Sequence, residues 1–376
     1  MHRLQQEAIL RDLTRKMVFV SGPRQSGKTT LAKTLAEKFT KACYINYDSD
    51  LDRQLFIEES WPKDIDLLVF DEVHKYKNWK NKIKGIYDTE NENYKMMVTG
   101  SARLNVFYKT GDSLAGRYFH HRLYPLSLKE ICQNTDQNAA TALKQLLQFG
   151  PFPEPYLRAS EDDAKRWQKN YISQVLIEDV AQLAAIKDYS SLQLLVDRLR
   201  RGVGSPVSFA AIARDLEISP HTVKRYVEIL EQMYLIFRVT PYHENIARAL
   251  LKEPKIYFYD FTLAHDVGAR LENLLALHLL KHLHFLEDTK GATTRLHYIR
   301  NLEKKEVDFI FREDETSIWN MIEVKVSDDS FPKALELFSK QMHCQPYLLL
   351  QNLSREKQYG DIKIKSLADY LGTLGI

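Results

Sequence analysis

Short apolar runs recur along the first hundred residues. Met17-Val18-Phe19-Val20 and Leu67-Leu68-Val69-Phe70 are uninterrupted, and Ala42–Tyr47 and Lys95–Thr99 are nearly so. Runs this short are consistent with strands, and their continuity predicts a parallel sheet buried on both faces. The Thr30–Ala36 segment reads as a helix after the first run, and Tyr118–Leu123 as a further strand. Beyond Gly150 the pattern changes. Pro151-Phe152-Pro153-Glu154-Pro155 breaks the chain. Helical periodicity then runs over 161–183, 190–201 and 208–216. Glu217-Ile218 makes a turn, and Ser219-Pro220 opens another helix, Ser as its cap and Pro at its first position. Val223, Val227 and Leu230 form its buried stripe, and Tyr234–Val239 reads as the strand that follows. In the last third, Lys255–Asp260, Arg295–Arg300, Glu306–Phe311 and Asn320–Val326 read as strands, and Arg270–Phe285 as an amphipathic helix. The expected organisation is α/β, with domains over 1–150, 151–250 and 251–376.

The loop after the first strand carries chemistry. Gly22-Pro23-Arg24-Gln25-Ser26-Gly27-Lys28-Thr29, followed by Thr30, fits G-x-x-x-x-G-K-[ST], the phosphate-binding P-loop. Strand, loop and helix come in the order the mechanism needs. Backbone N–H groups wrap a phosphate and the helix N-terminus adds partial positive charge. Lys28 is expected on the β/γ-phosphates and Thr29 on Mg²⁺. The Leu67–Phe70 run delivers Asp71 and Glu72 to the C-terminal tip of its strand, where open α/β sheets bind ligands. Asp71 is expected to hold Mg²⁺ through water, and Glu72 to orient and deprotonate the attacking water. At the end of Lys95–Thr99, Thr99 and Ser101 compete for a polar role beside the nucleotide, with a turn cap as the alternative. Arg117, just before the last strand, is offered as an arginine finger acting within its own subunit or a neighbour's; a salt bridge or helix cap is the other reading. Arg103 is a weaker candidate, and His74 reads as structural.

Composition adds limits. The 376 residues are 44% hydrophobic and 27% charged, with a formal net charge of +3. This describes an ordinary globular chain whose charge neither demands nor excludes nucleic acid. The apolar runs are too short for a membrane span, and the N-terminus lacks a signal-peptide core. Cys43, Cys132 and Cys344 have no metal-ligand spacing, and point to a reducing cytoplasm. ATP or ADP is the expected ligand.

The middle segment reads as a helix-turn-helix with a wing. In a DNA-binding role, Thr222, Lys224 and Arg225 stand at the exposed N-terminal end of the second helix, Lys224 and Arg225 touching phosphate or guanine. A lid or protein-interaction role stands beside it, because Glu228 and Glu231 on the same face repel DNA. In the last third, Ile322, Val324 and Val326 point one way and Glu323 and Lys325 the other. Asp308 and Glu323 are candidate ligands of a second Mg²⁺ or a Mn²⁺. Lys325 is the candidate for activating water, and Glu272 for an outer carboxylate. A surface ion pair on an edge strand is the other reading.

The extra strand between the P-loop and Asp71, with Glu72 beside it, resembles the AAA-like (ASCE) division of P-loop NTPases, which implies strand order 5-1-4-3-2. Helix Glu272, strand Asp308 and Glu323-x-Lys325 resemble the PD-(D/E)XK nuclease superfamily, and imply a small α/β restriction-endonuclease-like domain, active or inactive. Together with Leu114–Arg117, Pro125–Glu130 and Lys255–Asp260, these motifs resemble a bacterial and archaeal family. Its members combine an AAA-type P-loop core, a winged helix and a nuclease-like domain of unknown function. The resemblance implies an ATPase coupled to DNA binding or processing. The alternative is a nucleotide-dependent switch for a protein partner, without nuclease activity. A homo-oligomer is open, since Arg117 can act in cis or in trans. A small-molecule kinase is a third reading, against which Asp71-Glu72 and the appended domains argue.

Overall fold

The computed structural model describes residues 1–100, 114–179, 188–243, 252–314, 318–327, 332–353 and 355–375. The chain divides into two compact units, Met1–Pro125 and Leu126–Ile376. In the first unit, strands β1 (Met17–Ser21), β2 (Ala42–Asn46), β3 (Leu67–Asp71), β4 (Lys95–Thr99) and β5 (Tyr118–Arg122) form a sheet in the order β2-β3-β4-β1-β5. All its pairings are parallel. This is the order implied by the AAA-like resemblance. The continuous runs are buried on both faces. Met17, Phe19, Leu68 and Phe70 pack with Phe56, Trp79 and Ile83 in one cluster. Val18, Val20, Leu67 and Val69 pack with Ile9, Leu31 and Leu35 in another. Covering both faces leaves loop ends as the accessible parts of the sheet.

In the second unit, β6 (Ile236–Pro241), β7 (Lys255–Phe258), β8 (Leu296–Arg300), β9 (Glu306–Arg312), β10 (Trp319–Lys325), β11 (Gln345–Leu350), β12 (Lys357–Tyr359) and β13 (Ile362–Ser366) form a mixed sheet. Its order is β12-β13-β11-β10-β9-β8-β6-β7. Helix Lys333–Met342 contributes Leu335 and Phe338 to a core with Val307, Ile310, Met321 and Leu348. Helix Val267–Lys290 is longer than the amphipathic stretch predicted, and it buries polar groups as well as leucines. Three of these polar groups are matched as follows. Asn273 exchanges hydrogen bonds with the backbone of Phe258 at 2.9 and 2.8 Å, His278 Nε2 accepts from Leu128 N–H at 3.0 Å, and Lys281 pairs with Glu130.

Two boundaries differ from expectation. Helices Leu128–Asn134 and Ala139–Phe149, placed by sequence in the first domain, fall in the second unit. The reason is the partners of Leu128 and Glu130, which a one-dimensional pattern does not contain. The segments 151–250 and 251–376 are also not separable by strand pairing. Helices Phe209–Asp215 and Pro220–Gln232 stand where the helix-turn-helix was expected, with Ser219 accepting from the Thr222 N–H. But β6, the expected wing, pairs antiparallel with β7 and parallel with β8, which ties it into the large sheet. Among the described residues, no helix is long and apolar enough to cross a membrane.

Candidate nucleotide-binding site

Residues 22–27 join the C-terminal end of β1 to helix Lys28–Ala36. Gly22 has φ +155°, and a Cβ there would lie 2.1 Å from the Leu123 carbonyl oxygen, so the position admits only glycine. Gly27 is the helix N-cap at φ 96° and supplies no side-chain cap, which leaves the first-turn N–H groups to another acceptor. The Ser26 Oγ is buried without a hydrogen-bond partner among the described residues. Lys28 folds back on the loop and donates to the carbonyls of Gly22 and Pro23 at 3.0 and 2.6 Å. A phosphate fits this cradle, because amides, an uncapped helix end and a buried ammonium converge on one loop. Thr29 and Thr30 are exposed on the first turn.

Sequence reading missed a clamp on this loop. Arg3 is buried, and its guanidinium donates to the Ser26 carbonyl at 2.8 Å and to the Tyr124 carbonyl. Nothing in the sequence around Arg3 marks it, since its partners are backbone groups far along the chain. Ser21 Oγ and His120 Nε2 lie 2.7 Å apart just below the loop. Burial, with Arg122 and His121 nearby, pushes His120 down to about 3, so its ring is neutral.

At the tip of β3, Asp71 accepts three hydroxyls. Thr29 donates to Oδ2 at 2.8 Å, Tyr44 to Oδ2 at 2.5 Å, and Thr99 to Oδ1 at 2.5 Å. Thr99 is fully buried and already engaged by Asp71, so it orients that carboxylate. Ser101, its competitor, and Arg103 lie outside the described residues. Tyr44 is a second residue missed; within β2 it looks like any strand aromatic. Glu72 has a left-handed backbone, φ 58°. Its carboxylate stands 3.6 Å from both His74 Nε2 and Lys75 Nζ. Burial raises its pKa above the ordinary carboxylate range, against the opposing pull of Lys28 and Lys75.

Among the described residues, no three His, Cys, Asp or Glu side chains form a metal-ligand cluster. A P-loop cation needs none, because phosphate oxygens and water supply most of its ligands. The Thr29 hydroxyl and the Asp71 carboxylate, 2.8 Å apart, fit that limited protein share.

Arg117 does not fit a finger acting within its own subunit. The parallel register pairs Met17 with Tyr118 and Ser21 with Arg122. Arg117 therefore sits at the N-terminal edge of the sheet, roughly 13 Å of strand away from the P-loop end. It forms a two-point pair with Asp88, at 2.6 and 3.1 Å.

The helix Pro220–Gln232 exposes His221, Lys224 and Arg225. Thr222 is half-buried and shares its hydroxyl with Ser219 at 2.8 Å, which makes it part of the helix cap. Glu231 is paired with Arg238 of β6, at 3.0 and 2.5 Å.

The expected second metal centre is assembled differently from the sequence reading. Glu272, Asp308 and Glu323 do come from one helix and two neighbouring strands, but Lys255 stands against two of them, and Glu323 Oε2 is buried without a hydrogen-bond partner among the described residues. Lys255 Nζ stands 2.9 Å from Glu272, 2.7 Å from Glu306 and 3.9 Å from Asp308. Asp308 accepts the Val324 N–H at 2.9 Å, and Glu323 pairs with Lys325 at 3.2 Å. With the Lys255 ammonium among them, Glu272, Glu306 and Asp308 do not fit a divalent metal.

Comparison with known proteins agrees with the first unit's geometry. Residues 14–132 match the family model of an AAA domain. Residues 140–274 and 267–370 match two domains of unknown function, DUF8612 and DUF4143. An uncharacterized protein of Mycobacterium tuberculosis is 26% identical over 251 residues, covering 66% of this chain and 55% of the relative. The chain thus spans about half the length of that relative. An uncharacterized protein of Haemophilus influenzae is 23% identical over 346 residues, covering 83% of each chain. Among solved structures, the Walker-type ATPase of Pyrococcus abyssi aligns with TM-score 0.42 and 15% identity, covering 69% of this chain and 93% of that one. The first unit is similar to AAA-type P-loop ATPase domains in sequence, and has the parallel sheet and phosphate loop of that class.

Proposed function

We propose that this chain binds ATP with Mg²⁺ and hydrolyses it. The observation that carries the reading is the bond from Thr29 to Asp71, which joins the P-loop helix to the tip of β3 at 2.8 Å. On binding, Lys28 exchanges its bonds to Gly22 and Pro23 for β- and γ-phosphate oxygens. Amides of residues 24–29 hold the phosphates in line. The Thr29 hydroxyl, and Asp71 through water, would hold a Mg²⁺ ion, which when bound would offset the phosphate charge. Glu72 takes the proton of the attacking water, and its raised pKa makes it a stronger base than an ordinary carboxylate. Phosphate release by the purified chain, dependent on Mg²⁺, tests this. Absence of turnover together with absence of nucleotide binding would reject it.

A second reading, DNA association through the helix Pro220–Gln232, is favoured by one observation. Glu231 is neutralised by Arg238, which removes one of two acidic groups beside the exposed Lys224 and Arg225. Duplex, single-stranded and branched DNA should then raise the hydrolysis rate, with binding that weakens as salt rises. Unchanged rates with every DNA form, alongside tight ADP retention, would favour the protein-partner switch.

A further inference from the structure

Lys255 is fully buried on β7, and its ammonium is surrounded by acid from two other elements. Glu272 comes from helix Val267–Lys290, and Glu306 and Asp308 from β9. Their oxygens stand 2.9, 2.7 and 3.9 Å from Nζ. Tyr257 donates to the same Glu272 oxygen at 2.6 Å, and the Tyr298 ring lies 5.3 Å from the ammonium. The outer side of Glu272 is also closed. A Cβ at Gly204, which has φ +78°, would lie 2.6 Å from Glu272 Oε2, so the glycine lets the backbone lie over the carboxylate.

We infer that the Lys255 ammonium is the resident cation of this centre, standing where a divalent metal would stand among Glu272, Glu306 and Asp308. The second unit therefore holds no divalent ion among those three carboxylates. A Mg²⁺ ion needs oxygens at about 2.1 Å in an octahedral shell. Carboxylates already gathered on an ammonium cannot provide that while Nζ remains, and a second cation beside it would be repelled. Leaving is costly, because the lysine stem is enclosed and its charge would be buried unpaired. Lys255 also has a positive role: it fastens the strand beside β6 to the long helix and to β9.

The test counts Mn²⁺ by electron paramagnetic resonance on nucleotide-free full-length chain carrying Lys28→Ala. Comparison with the same chain carrying Asp308→Asn isolates the second unit's share. The expected difference is zero bound ions. A bound ion lost on Asp308→Asn would overturn the inference. Adding Lys255→Ala should create one Mn²⁺ site that Asp308→Asn removes, together with a rise in melting temperature on adding Mn²⁺ that the unsubstituted chain lacks. A folded Lys255→Ala chain that gains neither would also overturn it. If that variant does not fold, the counts on the Lys255-containing chains decide alone.

Discussion

Tyr44 and Thr29 donate to the same oxygen of Asp71, the phenol at 2.5 Å and the hydroxyl at 2.8 Å. In the proposed function Thr29 would turn toward a nucleotide-bound cation, whereas Tyr44 can stay and keep the carboxylate oriented. Tyr44→Phe removes about 1 kcal/mol of such a bond. The expected result is a folded protein whose half-maximal Mg²⁺ requirement for hydrolysis rises about fivefold. An unchanged Mg²⁺ curve would reduce Tyr44 to packing.

Lys28→Ala should abolish nucleotide turnover, by more than about 100-fold, since the group offsetting phosphate charge is gone. The fold should persist, because the carbonyls to which Lys28 donates belong to its own loop. Circular dichroism and phosphate release together check this, and normal turnover would overturn the site assignment.

Glu72→Gln should slow hydrolysis by roughly 10²- to 10⁴-fold while leaving ATP binding in place. The pH dependence has a definite sign. The ionised carboxylate is the active form, and burial raises its pKa. Activity therefore falls as pH drops through a value above the ordinary glutamate range. A rate profile whose acidic limb lies at or below that range would assign the base elsewhere.

Gly22→Ala sets a Cβ against the Leu123 backbone oxygen at 2.1 Å, in a conformation with φ +155°. Neither the carbonyl nor the backbone angle can yield cheaply, so the loop must move. A loss of about 1–3 kcal/mol is expected in denaturant unfolding, with nucleotide affinity reduced.

Arg117→Ala should leave hydrolysis by dilute, monomeric protein unchanged, because the side chain belongs to the edge of the sheet away from the P-loop. A rate that falls with the substitution only at concentrations where the protein self-associates would reveal a finger acting on a neighbour.

The parallel sheet was readable from sequence because the runs in β1 and β3 are short, continuous and apolar, and the P-loop because its spacing and flanks are chemical requirements. Asp71 followed from its position at the end of a buried run. What escaped were residues whose meaning lies in distant partners. Arg3 acts on backbone carbonyls, which sequence cannot distinguish. Lys255 sits at the start of an apolar strand, where a lysine ordinarily points to water; its acids arrive from Glu272, Glu306 and Asp308. The reach of Arg117 within its own subunit was not legible for a different reason. Its place in the sheet follows from strand register, and its proximity to the last strand in sequence said nothing about which end of that strand the nucleotide occupies.

The sharing of β6 between β7 and β8 has a consequence for anyone cutting the gene. Expressing the last third alone, starting after Pro241, would strip the β6 neighbour from both β7 and β8. Newly bared N–H and C=O groups would then seek another chain. The piece would be expected to precipitate, or to be rescued by supplying 188–243 in trans as a separate polypeptide.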